Sequence, residues 1–300
     1  MNTTTAIACA ARPNLLLPAL LSCYVIWGST YLAIRFALAS FPPFFQMGTR
    51  FLVAGGLLFA WHLARGGAWP NAGQWRNAGI VGGLMLGLGM GLAATAEQDV
   101  GSGLVAAFIA VVPMLVCFWG LAFGLRPTRL ELAGIVVGLA GVLMLVGGAS
   151  FSAAPAALAS IAVATLAWSL GSVLSATRLP LAPGSAGFAS EMLCGGVLLM
   201  VISFALGETP EWPPQPLAAA AWLYLVVAGS LVAFSAYLYL LAHASPALAT
   251  SYAFVNPVIA LLLGVGVAGE PVSAAEWGAC AVILAGVVLI FRGKTAPKRA

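Results

Sequence analysis

The chain has 300 residues, 62% of them hydrophobic and 7% charged, with a formal net charge of +4. A soluble domain carries roughly 25% charged residues, and no soluble fold of this length hides so much apolar surface, whereas a bilayer acts as solvent for outward apolar faces. A soluble enzyme and a nucleic-acid-binding protein are thereby excluded, and an all-α polytopic membrane protein is left.

Residues 1–14 end in Arg12-Pro13. They lack the charged start and apolar core that a signal peptide needs ahead of Ala8-Cys9-Ala10. Ten apolar segments follow, near 15–36, 43–64, 75–96, 101–124, 129–148, 155–177, 184–206, 217–241, 246–267 and 272–291. Stretches 132–177 and 212–269 hold no Asp, Glu, Lys or Arg, and each is long enough for two spans of roughly 20 residues. Gly, Pro and small polar residues separate the segments, as at Phe41-Pro42-Pro43, Gly66-Gly67, Gly147-Gly148, Pro180 to Gly184 and Pro210 to Pro216. Short connections make neighbouring helices antiparallel.

The chain repeats itself. Pro113 and Pro257 lie 144 residues apart, as do Arg126-Pro127 and Glu270-Pro271; Gly141 and Gly286 are one residue off that register. Nearer the front of each half, Trp27 pairs with Trp168, Arg50 with Glu191, Gly55 with Gly196 and Leu57-Leu58 with Leu198-Leu199, all at an offset of 141. Each half holds five helices, an odd number, so the second copy enters the membrane upside down. The expected architecture is ten transmembrane helices as two inverted five-helix repeats, over 15–149 and 150–292. A cytoplasmic segment over 1–14 and a basic cytoplasmic tail over 293–300 flank them.

Basic residues give the orientation. With the N-terminus inside, the cytoplasmic side receives Arg12, Arg65, Arg76, Arg126, Arg129, Arg178, Arg292, Lys294, Lys298 and Arg299, and the outside receives Arg35. Outer loops hold Asp99, Glu208, Glu211, Glu270 and Glu276. Arg126 and Arg129 in the helix 4–5 turn face Glu270 and Glu276 in the helix 9–10 turn, opposite charge in equivalent loops. Both termini are placed in the cytoplasm. Inverted repeats point to alternating access about a midplane site between the halves.

Charges within spans are costly and face the protein interior. Arg50 and Glu191, in helices 2 and 7, read as substrate or proton contacts, or as structural anchors at opposite membrane faces. Glu97, at the end of helix 3, reads as a gating or proton-uptake group or as part of a solvated loop. Asn256-Pro257 is the stronger site candidate, because proline frees backbone carbonyls and asparagine adds an amide. Pro113 is its apolar echo and bends helix 4. Tyr252 is one turn from Asn256 and shares its face. Trp27 and Trp168 read as an aromatic cavity wall or as packing. Tyr31 lies one turn from Trp27. Ser29 and Thr30 bind substrate or their own helix carbonyls. The glycines of helices 3 and 5 read as close-packing contacts. Five scattered cysteines (Cys9, Cys23, Cys117, Cys194, Cys280) form no metal-ligand spacing; no metal, cofactor or catalytic residue is assigned.

Trp27-Gly28-Ser29-Thr30-Tyr31, Arg50-Phe51, Ser245-Pro246-Ala247, Asn256-Pro257, Gly269-Glu270 and the closing Gly286 resemble the drug/metabolite transporter superfamily, in its bacterial inner-membrane form with two EamA domains. The match spans about residues 18–292. The first half departs from the pattern at Arg126, where the second has Glu270. The resemblance implies ten helices, cytoplasmic termini, a central cavity and export of amino acids or other small metabolites.

A secondary transporter is the function expected, with a small-molecule substrate and the lipid bilayer as its partners. Alternatives are a nucleotide-sugar carrier of the same superfamily, a channel and an intramembrane enzyme. The only histidines, His62 and His243, show no nucleophile beside them in sequence. Few carboxylates lie in the spans, which leaves facilitated diffusion and weak proton coupling. A monomer and a homodimer both fit.

Overall fold

Backbone polar groups in a bilayer must be satisfied within the protein, which leaves helices as the economical solution for such apolar segments. The computed structural model describes residues 15–99, 105, 108–146, 154–268 and 273–293. Gly147-Gly148, Gly269-Glu270-Pro271, Arg12, Lys294, Lys298 and Arg299 fall outside the described residues.

The main helices are α1 (Leu16–Ala37), α2 (Pro43–Ala64), α3 (Ala72–Ala96), α4 (Val112–Ala122), α5 (Arg129–Val146), α6 (Pro155–Thr177), α7 (Ser185–Ala205), α8 (Pro216–His243), α9 (Tyr252–Ala268) and α10 (Ala274–Gly293). Among the described residues 8 helical stretches are long and apolar enough to cross a membrane, and α4 is a shorter apolar helix. Proline opens α2, α6 and α8 in their first turn, where its missing N–H costs nothing. An Asn71–Gln74 capping box opens α3. Outward faces stay apolar, with Val136, Leu143 and Phe204 among the exposed residues, as lipid contact requires.

Irregularities recur at equivalent places in the two halves. α3 widens to a π-helix over Gly83–Met90 and α8 does so over Leu225–Phe234. α9 is preceded by a short turn, Pro246–Thr250, with a break at Ser251. The chain likewise turns at Ala110 and Val111 before α4, 141 residues earlier. Pro113 therefore starts α4 in its first turn and does not bend it, because the Ala110–Val111 turn has already broken the helix. Pro257 does lie inside α9.

Two helix pairs join the halves most closely, α2 with α7 and α5 with α10. In the second, a Cβ on Gly286 would lie 2.6 Å from Gly138 N and 2.8 Å from Gly134 O. Only glycine permits that backbone approach. Matching caps start the two helices of this pair. Thr128 N donates to Glu131 Oε2 at 2.8 Å, and Ser273 N donates to Glu276 Oε2 at 2.7 Å. Glu276 is thus a cap with a counterpart in Glu131, not one member of a charge inversion. The inversion read from these turns rests on Arg126 and Arg129 alone among the described residues.

One end of the bundle carries Arg65, Arg76, Arg126, Arg129, Arg178 and Arg292, and the other carries Glu208, Glu211 and Glu276. At the basic end His62 Nδ1 shares a hydrogen bond with Ser185 Oγ at 3.0 Å, and Ala68 O lies 3.0 Å from His62 Nε2. His62 does then have a hydroxyl beside it, brought from 123 residues away. The pair fastens the end of α2 to the start of α7.

At the acidic end the α7–α8 connection grips the start of α2. Glu208 accepts from Phe44 N at 3.2 Å and Phe45 N at 2.7 Å, an anion at a helix N-terminus. Ser40 Oγ donates to Glu211 Oε2 at 2.9 Å, and Glu211 N donates to Ser40 O at 2.8 Å. Glu208 and Glu211 are accordingly a clasp between the halves as well as loop charges.

Candidate functional site

Trp27 on α1 and Trp168 on α6 occupy equivalent repeat positions, and their rings meet edge to face at 5.7 Å. The contact therefore joins equivalent positions of the two repeats. Tyr237 of α8 and Tyr252 of α9 complete a four-ring cluster. Trp27 lies 5.1 Å from Tyr237 and 4.7 Å from Tyr252, Tyr237 stacks on Trp168 at 5.6 Å, and the tyrosines meet at 5.4 Å. Edge-to-face pairs place positive ring edges on negative ring faces, each worth roughly 0.5–1.5 kcal/mol beyond area burial.

Polar bonds fix two of the rings, while Trp168 Nε1 is buried without a partner. Trp27 Nε1 donates to Gly229 O at 3.2 Å, a carbonyl within the π-helical stretch of α8. The Tyr237 hydroxyl shares a hydrogen bond with Ser172 Oγ at 2.7 Å. One layer away, Asn256 Nδ2 donates to the Tyr31 hydroxyl at 3.2 Å, and Asn256 Oδ1 is buried without a partner.

A cavity of about 1000 Å³ opens at the basic end, between the ends of α4, α6 and α8 and the starts of α5, α7 and α9. Arg126, Glu131, Ser175, Tyr239 and His243 are among its lining residues. None of the ten residues singled out by sequence lines it. Six of them, Trp27, Thr30, Tyr31, Glu97, Trp168 and Tyr252, line a second cavity of about 50 Å³ beyond the aromatic cluster, toward the acidic end.

The remaining candidates are placed elsewhere. Ser29 is half-buried; it donates to Ile26 O at 2.7 Å and shares a 2.6 Å hydrogen bond with the Tyr224 hydroxyl. Thr30 lines the small cavity, but its hydroxyl donates to Trp27 O at 2.9 Å, its own helix. Arg50 is buried between α2 and α8. Its Nε donates to Ser230 Oγ at 2.7 Å, and its guanidinium carbon stands 4.8 Å from the Phe51 ring centroid. Glu191 is fully buried, neither oxygen has a hydrogen-bond partner, and it joins neither cavity lining. Glu97 is buried at the small cavity, also with two unpartnered oxygens, and not in a solvated loop.

Sequence reading missed Tyr237, Ser172 and Ser230. A tyrosine and two serines within uncharged spans were the available signal, since a buried hydroxyl in a bilayer needs a partner. Among the described residues no group of three His, Cys, Asp or Glu gathers as a metal site.

A model of the EamA-like transporter family matches residues 15–147 and again residues 155–292. The chain is 43% identical over 277 residues to the inner membrane transporter YedA of Escherichia coli strain K12, covering 92% of this chain and 90% of that protein. It is 26% identical over 269 residues to Protein PecM of Dickeya dadantii, covering 89% and 86%. A crystal structure with 24% sequence identity has a TM-score of 0.74 and covers 91% of this chain and 95% of its own, which is a likeness of fold.

Proposed function

Since the chain belongs to the EamA-like transporter family, we propose that it is a secondary carrier of the bacterial inner membrane that exports amino acids or related small metabolites by alternating access. Both termini face the cytoplasm in this reading, which makes the basic end the cytoplasmic one. The observation that carries it is the cavity of about 1000 Å³ at that end; Tyr237 of the aromatic cluster is the chain neighbour of its lining residue Leu238. Above the rings the acidic end is held by the Ser40, Glu208 and Glu211 clasp. A solute entering from the cytoplasm meets the aromatic cluster and leaves when the clasp parts. The halves rock about the Trp27–Trp168 contact.

Asn256 belongs to this machinery through Tyr31. The test compares extracellular metabolites of cells overproducing the parent with cells overproducing Asn256→Ala. Amino acids or related solutes accumulate outside with the parent, and the variant exports them several-fold more slowly. Equal profiles for parent and empty cells, with reconstituted protein moving no solute under any gradient, overturn the reading.

The clasp gives a second test. A hydrogen bond is worth roughly 0.5–1.5 kcal/mol net, so removing the four that Ser40 Oγ makes with Glu211 and Gln215 N and that Glu208 makes with Phe44 N and Phe45 N shifts the conformational balance by roughly tenfold or more. Ser40→Ala with Glu208→Ala in an Ile34→Cys background raises labelling of that cysteine from the periplasmic side by about that factor. Unchanged labelling removes the clasp from the transport cycle.

A further inference from the structure

Of the acids that line the two cavities, Glu97 alone has no hydrogen-bond partner. It is 4% exposed, and neither oxygen is bonded. Glu131, at the basic-end cavity, spends Oε2 on Thr128 N, in the cap of α5. Glu191 lines neither of the two cavities. A buried carboxylate keeps its charge only when paired, so a cation reaching the small cavity would supply the partner that charged Glu97 lacks.

The cavity's shape and lining say what that partner is. Trp27, Tyr31, Trp168 and Tyr252 supply four aromatic side chains, Thr30 and Thr165 hydroxyls already bonded to their own helices, and Glu97 the single charge among the described residues. No described Lys, Arg or His lines it. Aromatic faces attract cations, and a carboxylate binds an ammonium through charge-assisted hydrogen bonds. At about 50 Å³ the space exceeds one water, which needs roughly 10–15 Å³ on the same measure, and falls far short of a drug-sized ligand. It matches an NH₃⁺ group and the carbons next to it.

Arg35, exposed near the end of α1, is the other charge that Glu97 feels, and Tyr31 is the nearest titratable neighbour on that helix. Tyr252 faces the same cavity from α9. Asp99 follows Glu97 by two residues and is exposed. Arg35 makes no hydrogen bond to either Glu97 oxygen, so the acid is not already neutralised by a partner.

We propose that the small cavity binds the primary ammonium group of the transported solute, with Glu97 as its counter-ion and the aromatic rings as its walls. The inference rests on the carrier reading and narrows its substrate class to small primary amines, amino acids among them. A carboxylate head group finds no cation among the described lining residues, and a quaternary ammonium has no N–H to donate to Glu97.

The test uses purified full-length protein with n-butylammonium, n-butyrate, n-butanol and tetramethylammonium as probes. Quenching of tryptophan fluorescence, to which Trp27 and Trp168 contribute, reports occupancy. Butylammonium binds saturably, the other three bind at least tenfold more weakly, and Glu97→Gln lowers butylammonium affinity at least tenfold. Asp99→Asn leaves it unchanged, which separates the buried acid from surface charge. The thermal transition of each variant verifies that it is folded; should Glu97→Gln fail to fold, the probe series on the parent decides alone. No saturable butylammonium binding, equal binding of butyrate, or equal affinity in folded Glu97→Gln overturns the assignment. Solute export by cells of the same strain, measured beside it, keeps the two readings apart. Export without ammonium binding sinks this site and leaves the carrier standing, whereas binding without transport of any solute sinks the carrier.

Discussion

Gly286→Val is expected to leave little or no folded protein in the membrane. The helices α5 and α10 approach so closely at this point that even one Cβ on Gly286 would sit 2.6 Å from Gly138 N. The reciprocal position is as tight, since a Cβ on Gly134 would lie 2.6 Å from Gly286 O. Extra methyl groups in a packed core cost roughly 1–3 kcal/mol where side chains can adjust. Here the obstacle is backbone, which has no rotamer to change, so the helices must separate along the seam and the cost is at or above the top of that range. Detergent-extracted protein of the expected size and monodispersity, measured by fluorescence-detected size exclusion, falls at least tenfold relative to the parent. Gly278→Val, on the same helix at a glycine with nothing within 4 Å of an added Cβ, is the control and retains normal recovery. If both variants are recovered equally, the α5–α10 seam does not hold the halves together as the geometry requires.

The second large effect concerns transport. Trp27→Ala removes three ring contacts and the hydrogen bond to Gly229 O. At roughly 0.5–1.5 kcal/mol per aromatic pair, the loss is worth about 1.5–4.5 kcal/mol at the position where the halves pivot. Export is expected to fall ten- to hundredfold or more while extractable protein stays within about twofold of the parent. Ser29→Ala, two residues away, leaves export unchanged, because that hydroxyl is bonded to Ile26 and Tyr224 away from the rings. Trp27→Phe keeps an aromatic ring but loses the indole N–H and part of the ring area, so it falls between them. Equal activity of Trp27→Ala and Ser29→Ala would show that the cluster is packing and nothing more.

The two variants also separate what composition specifies from what proximity specifies. Membrane insertion of α10 depends on its apolar residues, and neither glycine substitution alters that. Whether α10 seats against α5 depends on atoms brought together from residues 134, 138 and 286, and a sequence pattern records only that small residues recur there.

Much of the architecture is legible in the chain because the bilayer imposes a simple rule. Apolar runs of spanning length must be helices, short connections make neighbours antiparallel, and an odd repeat inverts its copy. The pairing of Trp27 with Trp168 at an offset of 141 was visible in the same way. Their direct contact at 5.7 Å was not, because a repeat offset fixes equivalence and says nothing of distance from the axis. Tyr237, Ser172 and Ser230 escaped notice since a lone hydroxyl in an apolar span has no pattern until its partner is known. Ser230 is named by Arg50, 180 residues away, and Ser172 by Tyr237, 65 residues away.

Glu97 and Glu276 show the limit most clearly. Both read as acids near the same membrane face. Glu276 is spent on the cap of its own helix through Ser273, a local device of three-residue spacing that the sequence already contains. Glu97 instead stands at the C-terminal end of its helix, and α1, α6 and α9 close over it and leave its oxygens facing a small aromatic space. The sequence by itself determined the medium, the helices and their inverted repetition, since these follow from hydropathy and chain order. The tertiary structure alone decided which polar groups are paired, which are left facing a cavity and which end stands open, since each depends on distances between segments far apart in the chain.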